Sequence, residues 1–342
     1  DVAFKGTLRK EQQTSMGCML PHNIGTLSAT TAFGKTVFAI AMIAERKVNT
    51  LILVHRKSLL DQWKKHLENF LEINEVVVND GKKRMSKKQQ SPIGTLYSGK
   101  NSIHGIIDIA LIQSCFDGNE VSPFVENYGM VIVDECHHVS SVSFEQVLRK
   151  VKAKYVYGLT ATPIRKDGHQ PIIFMQCGKI RFTADAQSQM NNQSFSRILI
   201  PRFTTFRDIS SDDKTYTRVV ETISKDEVRN RLIIDDVHKA IVEGRTPIVL
   251  TSLTSHVRVL ADMLLPYSDN VITLVGADSA KEKRCAMERL QNMPVTESLV
   301  IVATGKYIGE GFDYPRLDTL FLVLPISWKG NIAQYAGRLH RD

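Results

Sequence analysis

The chain lacks the features that mark membrane-spanning, secreted and disulfide-bonded proteins. It contains no run of about 18 apolar residues, so no membrane span is predicted. Its five cysteines are dispersed without a Cys-x-x-Cys pair, which favours reduced thiols in the cytoplasm over a disulfide framework or a zinc site. An initiator methionine and a signal peptide are also lacking. We therefore expect a cytoplasmic fragment, with further domains or subunits outside it.

Positive charge is in excess. The 342 residues include 44 lysines and arginines against 36 acidic residues, which gives a formal net charge of +8. This balance favours polyanionic partners such as nucleic acid. The densest basic run, at 82–88, is more simply a solvated loop or helix face than a docking site. The length is sufficient for two domains that each bury a core.

The first half alternates short apolar runs with amphipathic stretches. Continuously apolar, strand-like runs lie at 50–55, 106–112, 130–134 and 155–161. Strands buried on both faces of a parallel sheet have this composition. After the first run, apolar residues recur at helical spacing at Leu59, Leu60, Trp63, Leu67 and Phe70. The alternation predicts a doubly wound α/β domain, in which aromatic residues such as Trp63 pack in the core.

The polar stretch DAQSQMNNQSFS, at 185–196, separates this half from a second α/β alternation. There a helical pattern ends at Gly244, and strand-like runs follow at 246–252, 271–276, 298–304 and 318–325. The sequence therefore predicts two α/β domains, at 1–195 and 196–342, that join around residues 190–205. The second domain is expected to be truncated at its carboxyl end.

The segment ATTAFGKT, at 29–36, is the strongest single motif. It fits the phosphate-binding loop G-x-x-x-x-G-K-[ST], with Ala29 in place of the first glycine. In such a loop, backbone N–H groups and the positive end of the next helix surround phosphate oxygens. Lys35 would reach the outer phosphates, and the Thr36 hydroxyl would ligate Mg²⁺. The alternative is an ordinary strand–turn–helix that contains Gly-Lys-Thr. The residues of this motif predicted to bind nucleotide are Thr31, Ala32, Phe33, Gly34, Lys35 and Thr36.

The segment MVIVDECHH places two adjacent acids at the end of a buried strand. A phosphate loop needs such an acid on a neighbouring strand to hold the metal. Asp134 would therefore bind Mg²⁺, and Glu135 would orient the attacking water and take its proton. The rival interpretation is a metal site on the Cys-His-His run that follows. Consecutive residues point in alternating directions, however, and the sequence has no second ligand cluster with zinc-like spacing.

The run DECHH resembles the DExH box of superfamily 2 helicases and translocases, and GLTATP resembles the next motif of that family. The resemblance implies that His137 couples the ATP site to Thr160 and Thr162. It also implies two RecA-like, doubly wound parallel-sheet domains that use ATP and Mg²⁺ and bind nucleic acid. Cys136 and His138 have no assigned chemical role, and Cys136 is expected to be a small buried side chain.

Further motifs of the family follow the expected order in the first half. LRKEQQ resembles the adenine-reading segment, with Gln12 as the base contact and Arg9 as a stacking partner. LVHRKSLLDQW and ALIQS resemble two motifs that contact nucleic acid. The contact residues implied by these two motifs are His55, Arg56, Gln113 and Ser114.

The second half contains the motifs that the family carries in its second domain. VATGKYIGEGFD resembles the fifth family motif, where Thr304 would touch a backbone phosphate and Gly311 and Asp313 would lie beside the nucleotide. QYAGRLHR matches the pattern Q-x-x-G-R-x-x-R, whose arginines act as arginine fingers on the γ-phosphate. The resemblance assigns the coupling role and the two arginine fingers to Gln334, Arg338 and Arg341.

GLTATPIRKDG and GEGFD most resemble the XPB-like and type III restriction-subunit-like branch of the superfamily. Arg165 lies where XPB-like enzymes carry an element implicated in DNA opening, and a basic loop after a strand is the alternative. The expected function is an ATP-dependent helicase or translocase that acts on DNA or RNA, with DNA favoured, in the cytoplasm or nucleoid and without a membrane partner. The alternatives are an ATP-gated nucleic-acid clamp or sensor, or the motor subunit of a restriction or defence system.

Overall fold

A computed structural model of the protein describes all residues except 31–32, 75–90, 139–141, 162–169, 185–197, 208–214, 309–311, 313, 327–331, 333–334, 338 and 340–342. The chain divides into two compact units, Asp1–Ser194 and Phe195–Asp342. Each unit contains a parallel β-sheet and helices, so the predicted α/β fold class is confirmed. The polar stretch predicted to connect the domains lies outside the described residues.

The strands of the first unit are, in chain order, β1 (Val2–Phe4), β2 (Ile24–Ser28), β3 (Thr50–Val54), β4 (Leu71–Ile73), β5 (Ile93–Tyr97), β6 (Lys100–Asn101), β7 (Ile107–Leu111), β8 (Phe116–Asp117), β9 (Glu120–Val121), β10 (Met130–Asp134), β11 (Tyr155–Thr160) and β12 (Ile180–Thr183). Eight of them form one sheet in the order β12-β2-β11-β10-β3-β7-β5-β6. The pairs in this sheet are parallel, except that β5 and β6 are antiparallel. The pairs β1–β4 and β8–β9 form separate antiparallel ribbons.

The helices described in the first unit are α1 (Lys10–Met19), α2 (Lys35–Arg46), α3 (Lys57–Phe70), α4 (Val142–Lys150) and α5 (Gln170–Cys177). Three 3₁₀ turns accompany them, at Ile112–Cys115, Pro123–Asn127 and Cys136–His138. In the part of the chain that the structure describes, neither unit has a helix that is long and apolar enough to cross a membrane.

Hydrophobic layers cover both faces of the central sheet. Because successive strand residues point to opposite faces, Ile52 and Ile132 pack in the layer formed with α2 and α3. Their neighbours Leu53 and Val133 pack in the layer formed with α4 and α5. The strands β3 and β10 therefore carry apolar residues at successive positions, which explains their continuous apolar runs in the sequence.

The parallel register brings three strand ends to one edge of this sheet. Asp134, the last residue of β10, pairs with Leu159 of β11. Thr160, the last residue of β11, pairs with Ser28 at the end of β2. In open α/β sheets, ligands bind outside the carboxyl ends of the strands. The predicted acids and the predicted phosphate loop therefore meet at the edge where a ligand site is expected.

Several short strands are not predicted by the sequence patterns. They are β1, β4, β5, β6, β8, β9 and β12, which have two to five residues each. They lie in the separate ribbons or towards the edges of the main sheet, so they lack the long apolar run of a strand that is buried on both faces.

The second unit has the strands β13 (Pro247–Thr251), β14 (Val271–Leu274), β15 (Val300–Thr304) and β16 (Thr319–Leu322). Its described helices are α6 (Tyr216–Ser224), α7 (Glu227–Val242), α8 (Thr254–Leu264), α9 (Ala280–Gln291) and α10 (Gly305–Ile308). The four strands form a parallel sheet in the order β14-β15-β13-β16. Each strand lies within a run predicted from the sequence, and α7 ends two residues before Gly244, which has a φ of +75°.

A buried carboxylate holds the loop before β7 in place. Asp108 has no exposed surface, and its side chain accepts hydrogen bonds from the backbone N–H groups of His104 (3.2 Å) and Gly105 (2.7 Å). The Tyr128 hydroxyl donates a third bond to it at 2.7 Å. Since buried donors without acceptors are destabilising, this carboxylate stabilises the packing of β7 against the segment before β10.

We expect Asp108→Ala to lower the free energy of unfolding of the first unit by about 3 kcal/mol, because it removes the acceptor of three hydrogen bonds, of which the one from Tyr128 is fully buried. Tyr128→Phe, which removes one of the three bonds, should cost about 1 kcal/mol. Urea unfolding followed by Trp63 fluorescence in a Trp328→Phe background measures both. The exposed Asp117→Ala is the control, and an equal effect of this control would contradict the assignment.

Candidate active site

The phosphate loop leaves β2 at Ser28 and enters α2 at Lys35. Gly34 has a φ of +79°, a left-handed conformation that side chains with a Cβ atom rarely adopt. A Cβ atom on Gly34 would also lie 2.9 Å from the Gln12 Nε2 atom. Glycine is therefore required here by the backbone conformation, and the Gln12 side chain would have to shift to admit a Cβ atom.

The Lys35 ammonium points back across the loop towards the acids. Its Nζ atom donates to the Ala29 carbonyl oxygen at 3.1 Å and lies 3.8 Å from the Glu135 Oε1 atom. Lys35 is only 7% exposed, so its charge is balanced mainly by protein groups. The contact with Ala29 uses the backbone carbonyl, which is available from any residue type, and alanine in place of the first glycine does not prevent it.

The Asp134 carboxylate is oriented by two donors. Its Oδ1 atom accepts from the Glu135 backbone N–H at 3.0 Å, and its Oδ2 atom accepts from the Trp63 indole N–H at 2.8 Å. Trp63 is buried, as predicted, but it also has a polar role that the sequence analysis missed. A tryptophan at helical spacing gives the signal of a core residue, and nothing in the sequence identifies the partner of its N–H group.

Burial and the neighbouring charge of Glu135 raise the pKa of Asp134 to about 6, although the hydrogen bond from Trp63 and the charge of Lys35 act in the opposite direction. Glu135 itself has a φ of +48°, which is unusual for a residue other than glycine. This turn directs the chain from β10 into the 3₁₀ turn at Cys136–His138. Backbone strain of this kind is concentrated at functional sites.

His137 connects the acid pair to the next strand. Its Nδ1 atom lies 3.1 Å from the Thr160 hydroxyl oxygen and 3.3 Å from the Glu135 Oε2 atom. Cys136 lies in the buried layer with Cys177, and burial raises the pKa of its thiol. Cys136 and His137 therefore have different surroundings, which argues against the rival metal site on this run. The contact between His137 and Thr160 is the one that the resemblance implies.

The oxygen ligands that the sequence assigns to Mg²⁺ fit that ion chemically. Mg²⁺ prefers hard oxygen ligands, and the Asp134 carboxylate and the Thr36 hydroxyl are of this kind. Each Asp134 oxygen accepts one of the two hydrogen bonds described above, and a carboxylate has about four acceptor positions in all, so acceptor capacity remains. Asp134 and Thr36 are therefore the residues that would hold the metal.

Gln12 contacts the phosphate loop. Its Nε2 atom donates to the Phe33 carbonyl oxygen at 2.8 Å, and its Oε1 atom accepts from the Arg9 backbone N–H at 2.9 Å. The Phe33 ring packs against Phe38 and Phe182 in the core, so its contribution to nucleotide binding is confined to the backbone. Gln12 thus links the start of α1 to the loop, and its contact with the base, like stacking by Arg9, stays a prediction.

The residues predicted to contact nucleic acid lie at the same sheet edge, further along. His55 and Arg56 follow β3, whose last residue, Val54, pairs with Leu111 at the end of β7. The 3₁₀ turn after β7 carries the other two predicted contacts, Gln113 and Ser114. The Ser114 hydroxyl oxygen accepts from the Ser98 backbone N–H at 3.3 Å, which ties this turn to the β5–β6 hairpin.

The second unit has a chain of polar contacts at the carboxyl ends of its strands. Thr304, the last residue of β15, pairs with Thr251 at the end of β13 and is 6% exposed. The Thr251 hydroxyl lies 3.0 Å from Nδ1 of His256, whose Nε2 atom is 3.0 Å from the Asn230 side-chain oxygen. Burial, with a contribution from the Arg229 charge, lowers the pKa of His256 to about 4, so the imidazole is neutral at pH 7. His256 is not identifiable from the sequence, since a single histidine in a helix carries no signal.

Nine predicted site residues lie outside the described residues, and their roles stay predictions. They are Thr31, Ala32, Thr162, Arg165, Gly311, Asp313, Gln334, Arg338 and Arg341.

Comparison with known proteins supports the assignment that the motifs indicate. Residues 6–165 match the family described as "Type III restriction enzyme, res subunit". The chain is 35% identical over 182 residues to putative helicase 109L of Invertebrate iridescent virus 3, a match that covers 51% of each protein. It is 25% identical over 363 residues to putative helicase 161L of Invertebrate iridescent virus 6, covering 99% of this chain and 75% of that protein.

Among solved structures, the ATP-dependent Type ISP restriction-modification enzyme LlaBIII bound to DNA aligns with 98% of this chain and 27% of its own, with a TM-score of 0.59 and 15% identity. This likeness concerns the fold. By sequence, the chain is similar to type III restriction subunits over residues 6–165 and to two viral proteins named as putative helicases. It spans about half the length of the first of the viral relatives.

We expect Glu135→Gln to lower the pKa of Asp134, because it removes the neighbouring negative charge and leaves the burial of Asp134 unchanged. Carbon-13 NMR titration of the aspartate carboxyl groups in the metal-free protein measures this pKa, and an Asp134→Asn spectrum assigns the signal. Glu120→Gln, at an exposed site, should leave the pKa in place. An Asp134 pKa that is unchanged or higher in Glu135→Gln would contradict the electrostatic assignment.

Proposed function

We propose that this protein is an ATP-driven motor that moves along or opens nucleic acid, with DNA as its track. The observation that carries the proposal is the convergence of Lys35, Asp134, Glu135, His137 and Thr160 at one edge of the first sheet. These residues come from three separate motifs of the superfamily. The match of residues 6–165 to the type III restriction subunits and the similarity to proteins named as helicases support the proposal.

Each residue has a chemical role in this proposal. Lys35 and the loop backbone bind the phosphates, and Lys35 loses its contact with Glu135 when it does so. Glu135 then orients the attacking water and accepts its proton. Thr36 and Asp134 would hold Mg²⁺, which would supply positive charge near the phosphate oxygens. His137 contacts both Glu135 and Thr160. A movement of the Glu135 carboxylate would therefore be passed through His137 to the end of β11, which carries the next motif.

The second unit contributes the remaining functions through its motifs. Arg338 and Arg341 would stabilise the charge that develops on the transferred phosphoryl group, with Gln334 in the coupling role. Thr304 would bind a backbone phosphate of the track. The support for these assignments is the match of the sequence to the Q-x-x-G-R-x-x-R pattern and to the fifth motif.

Binding to the track should depend on charge more than on base sequence. His55, Arg56, Gln113 and Ser114 follow strands that end together, so they would contact the phosphate backbone along one edge. The excess of basic residues supports a polyanionic partner, and the DNA in the structure of the restriction enzyme supports DNA as the track. Such binding weakens steeply as the salt concentration rises. A location in the cytoplasm or nucleoid is part of this proposal.

We expect ATP turnover that DNA stimulates, and we expect Lys35→Ala to lower this turnover by about 100-fold or more, because a charge that is preorganised for the transition state is lost. Phosphate release in the presence and absence of DNA or RNA measures the effect. Lys281→Ala, at an exposed position of α9, is the matched control and should behave as wild type. A wild type without turnover, or a Lys35→Ala variant as active as the control, would refute the proposal.

Strand-displacement and translocation assays, run on the same protein, separate the candidate functions. Displacement identifies a helicase, and movement without displacement identifies a translocase. ATP-dependent retention on DNA with neither activity would instead identify the clamp or sensor. RNA in place of DNA in each assay tests the choice of track.

A further inference from the structure

The Trp63 indole is bonded to the acid assigned to the metal. Trp63 is 1% exposed, and its N–H group donates to the Asp134 Oδ2 atom at 2.8 Å. A buried indole N–H needs an acceptor, and many could serve, including backbone carbonyls. Here the acceptor is a carboxylate that lies 71 positions further along the chain, at the centre of the candidate active site.

Trp63 also belongs to the helix that begins at the predicted track contacts. Helix α3 starts at Lys57, directly after His55 and Arg56. Trp63 lies seven positions after Arg56, a distance of roughly 10 Å along the helix axis. Leu59, Leu60 and Leu67 are buried on the same helix, so α3 packs as one element that carries the predicted track contacts at its start and Trp63 at its centre. A displacement of its first turn would therefore also move Trp63.

The two donors to Asp134 have different origins. The Glu135 N–H belongs to the residue that follows Asp134, so it moves with the carboxylate. The Trp63 N–H comes from a different element, and it fixes the carboxylate relative to α3. Without the indole donor, the Asp134 side chain would keep its hydrogen bond from the Glu135 N–H but lose the bond that fixes its position relative to α3.

We propose that Trp63 is a positioning residue that orients the Asp134 carboxylate for Mg²⁺ and links it to the track-contacting segment at the start of α3. The inference rests on the proposed function and deepens it by naming a route for control by DNA. When DNA engages His55 and Arg56, α3 shifts and the Trp63 indole moves the carboxylate with it. Mg²⁺ binding and DNA stimulation are thus coupled through one hydrogen bond.

Trp63→Phe tests this link, because phenylalanine keeps an aromatic ring in the core and removes the N–H donor. Partners of metal ligands typically contribute 10- to 100-fold to metal affinity. We expect Trp63→Phe to raise the Mg²⁺ concentration for half-maximal binding of a fluorescent ADP by about 10-fold. The ratio of DNA-stimulated to basal turnover should fall, while the affinity for DNA stays at the wild-type value.

Leu67→Val is the matched control. It removes buried volume about one turn further along the same helix and changes no hydrogen-bonding side chain. It should leave the Mg²⁺ requirement and the stimulation ratio unchanged. An equal loss in Leu67→Val would overturn the inference, because packing of α3 would then explain the effect. A Trp63→Phe variant with the wild-type Mg²⁺ requirement, or with full stimulation by DNA, would overturn it as well.

The fluorescence of Trp63 tests the inference without a substitution at position 63, in case Trp63→Phe fails to fold. In a Trp328→Phe background, Trp63 is the single tryptophan, because the chain has two. Addition of Mg²⁺ with ADP should change its emission, and the change should be lost in Asp134→Asn. Constant emission would overturn the inference. Since nucleotide binding is read directly, these outcomes are distinct from an absence of turnover, which would refute the proposed function instead.

Discussion

The parallel register of β2, β11, β10 and β3 is the constraint on which the candidate site depends. These strands are neighbours in the first sheet, and Ser28, Thr160 and Asp134 lie at the carboxyl ends of three of them. A shift by one residue in any strand would turn its side chains to the opposite face. The hydrophobic layers on both faces fix the register, because successive apolar residues of β3 and β10 belong alternately to one layer and the other.

Burial makes the charged groups of the site dependent on one another. Lys35, Asp134 and Glu135 are each less than a tenth exposed, at 7%, 6% and 8%. Their charges are weakly hydrated, so the Lys35 ammonium stabilises the two carboxylates, which repel each other. The raised pKa of Asp134 is a consequence of its burial and of the Glu135 charge. A phosphate group that entered the loop would lie close to the Lys35 ammonium without a large movement of that side chain.

Two elements outside the motif strands hold this centre in place. Gln12, from α1, bonds to the loop at the Phe33 carbonyl oxygen, and Trp63, from α3, bonds to Asp134. Both side chains are buried and use polar atoms on backbone or carboxylate partners. The helices that flank the sheet therefore support the site as well as cover the core, and α3 does so from the segment assigned to the track.

The sequence by itself determined the order of the motifs along the chain and the positions of the central strands. It also determined that a phosphate loop is combined with a strand that ends in an acid. Those features are local or periodic, so spacing and residue type express them directly. The tertiary structure decided which side chains meet. The contacts of Trp63 with Asp134 and of Tyr128 with Asp108 join residues 71 and 20 positions apart. Such contacts depend on the orientation in which a helix or turn packs on the sheet. Neither hydrophobic periodicity nor a motif encodes that orientation.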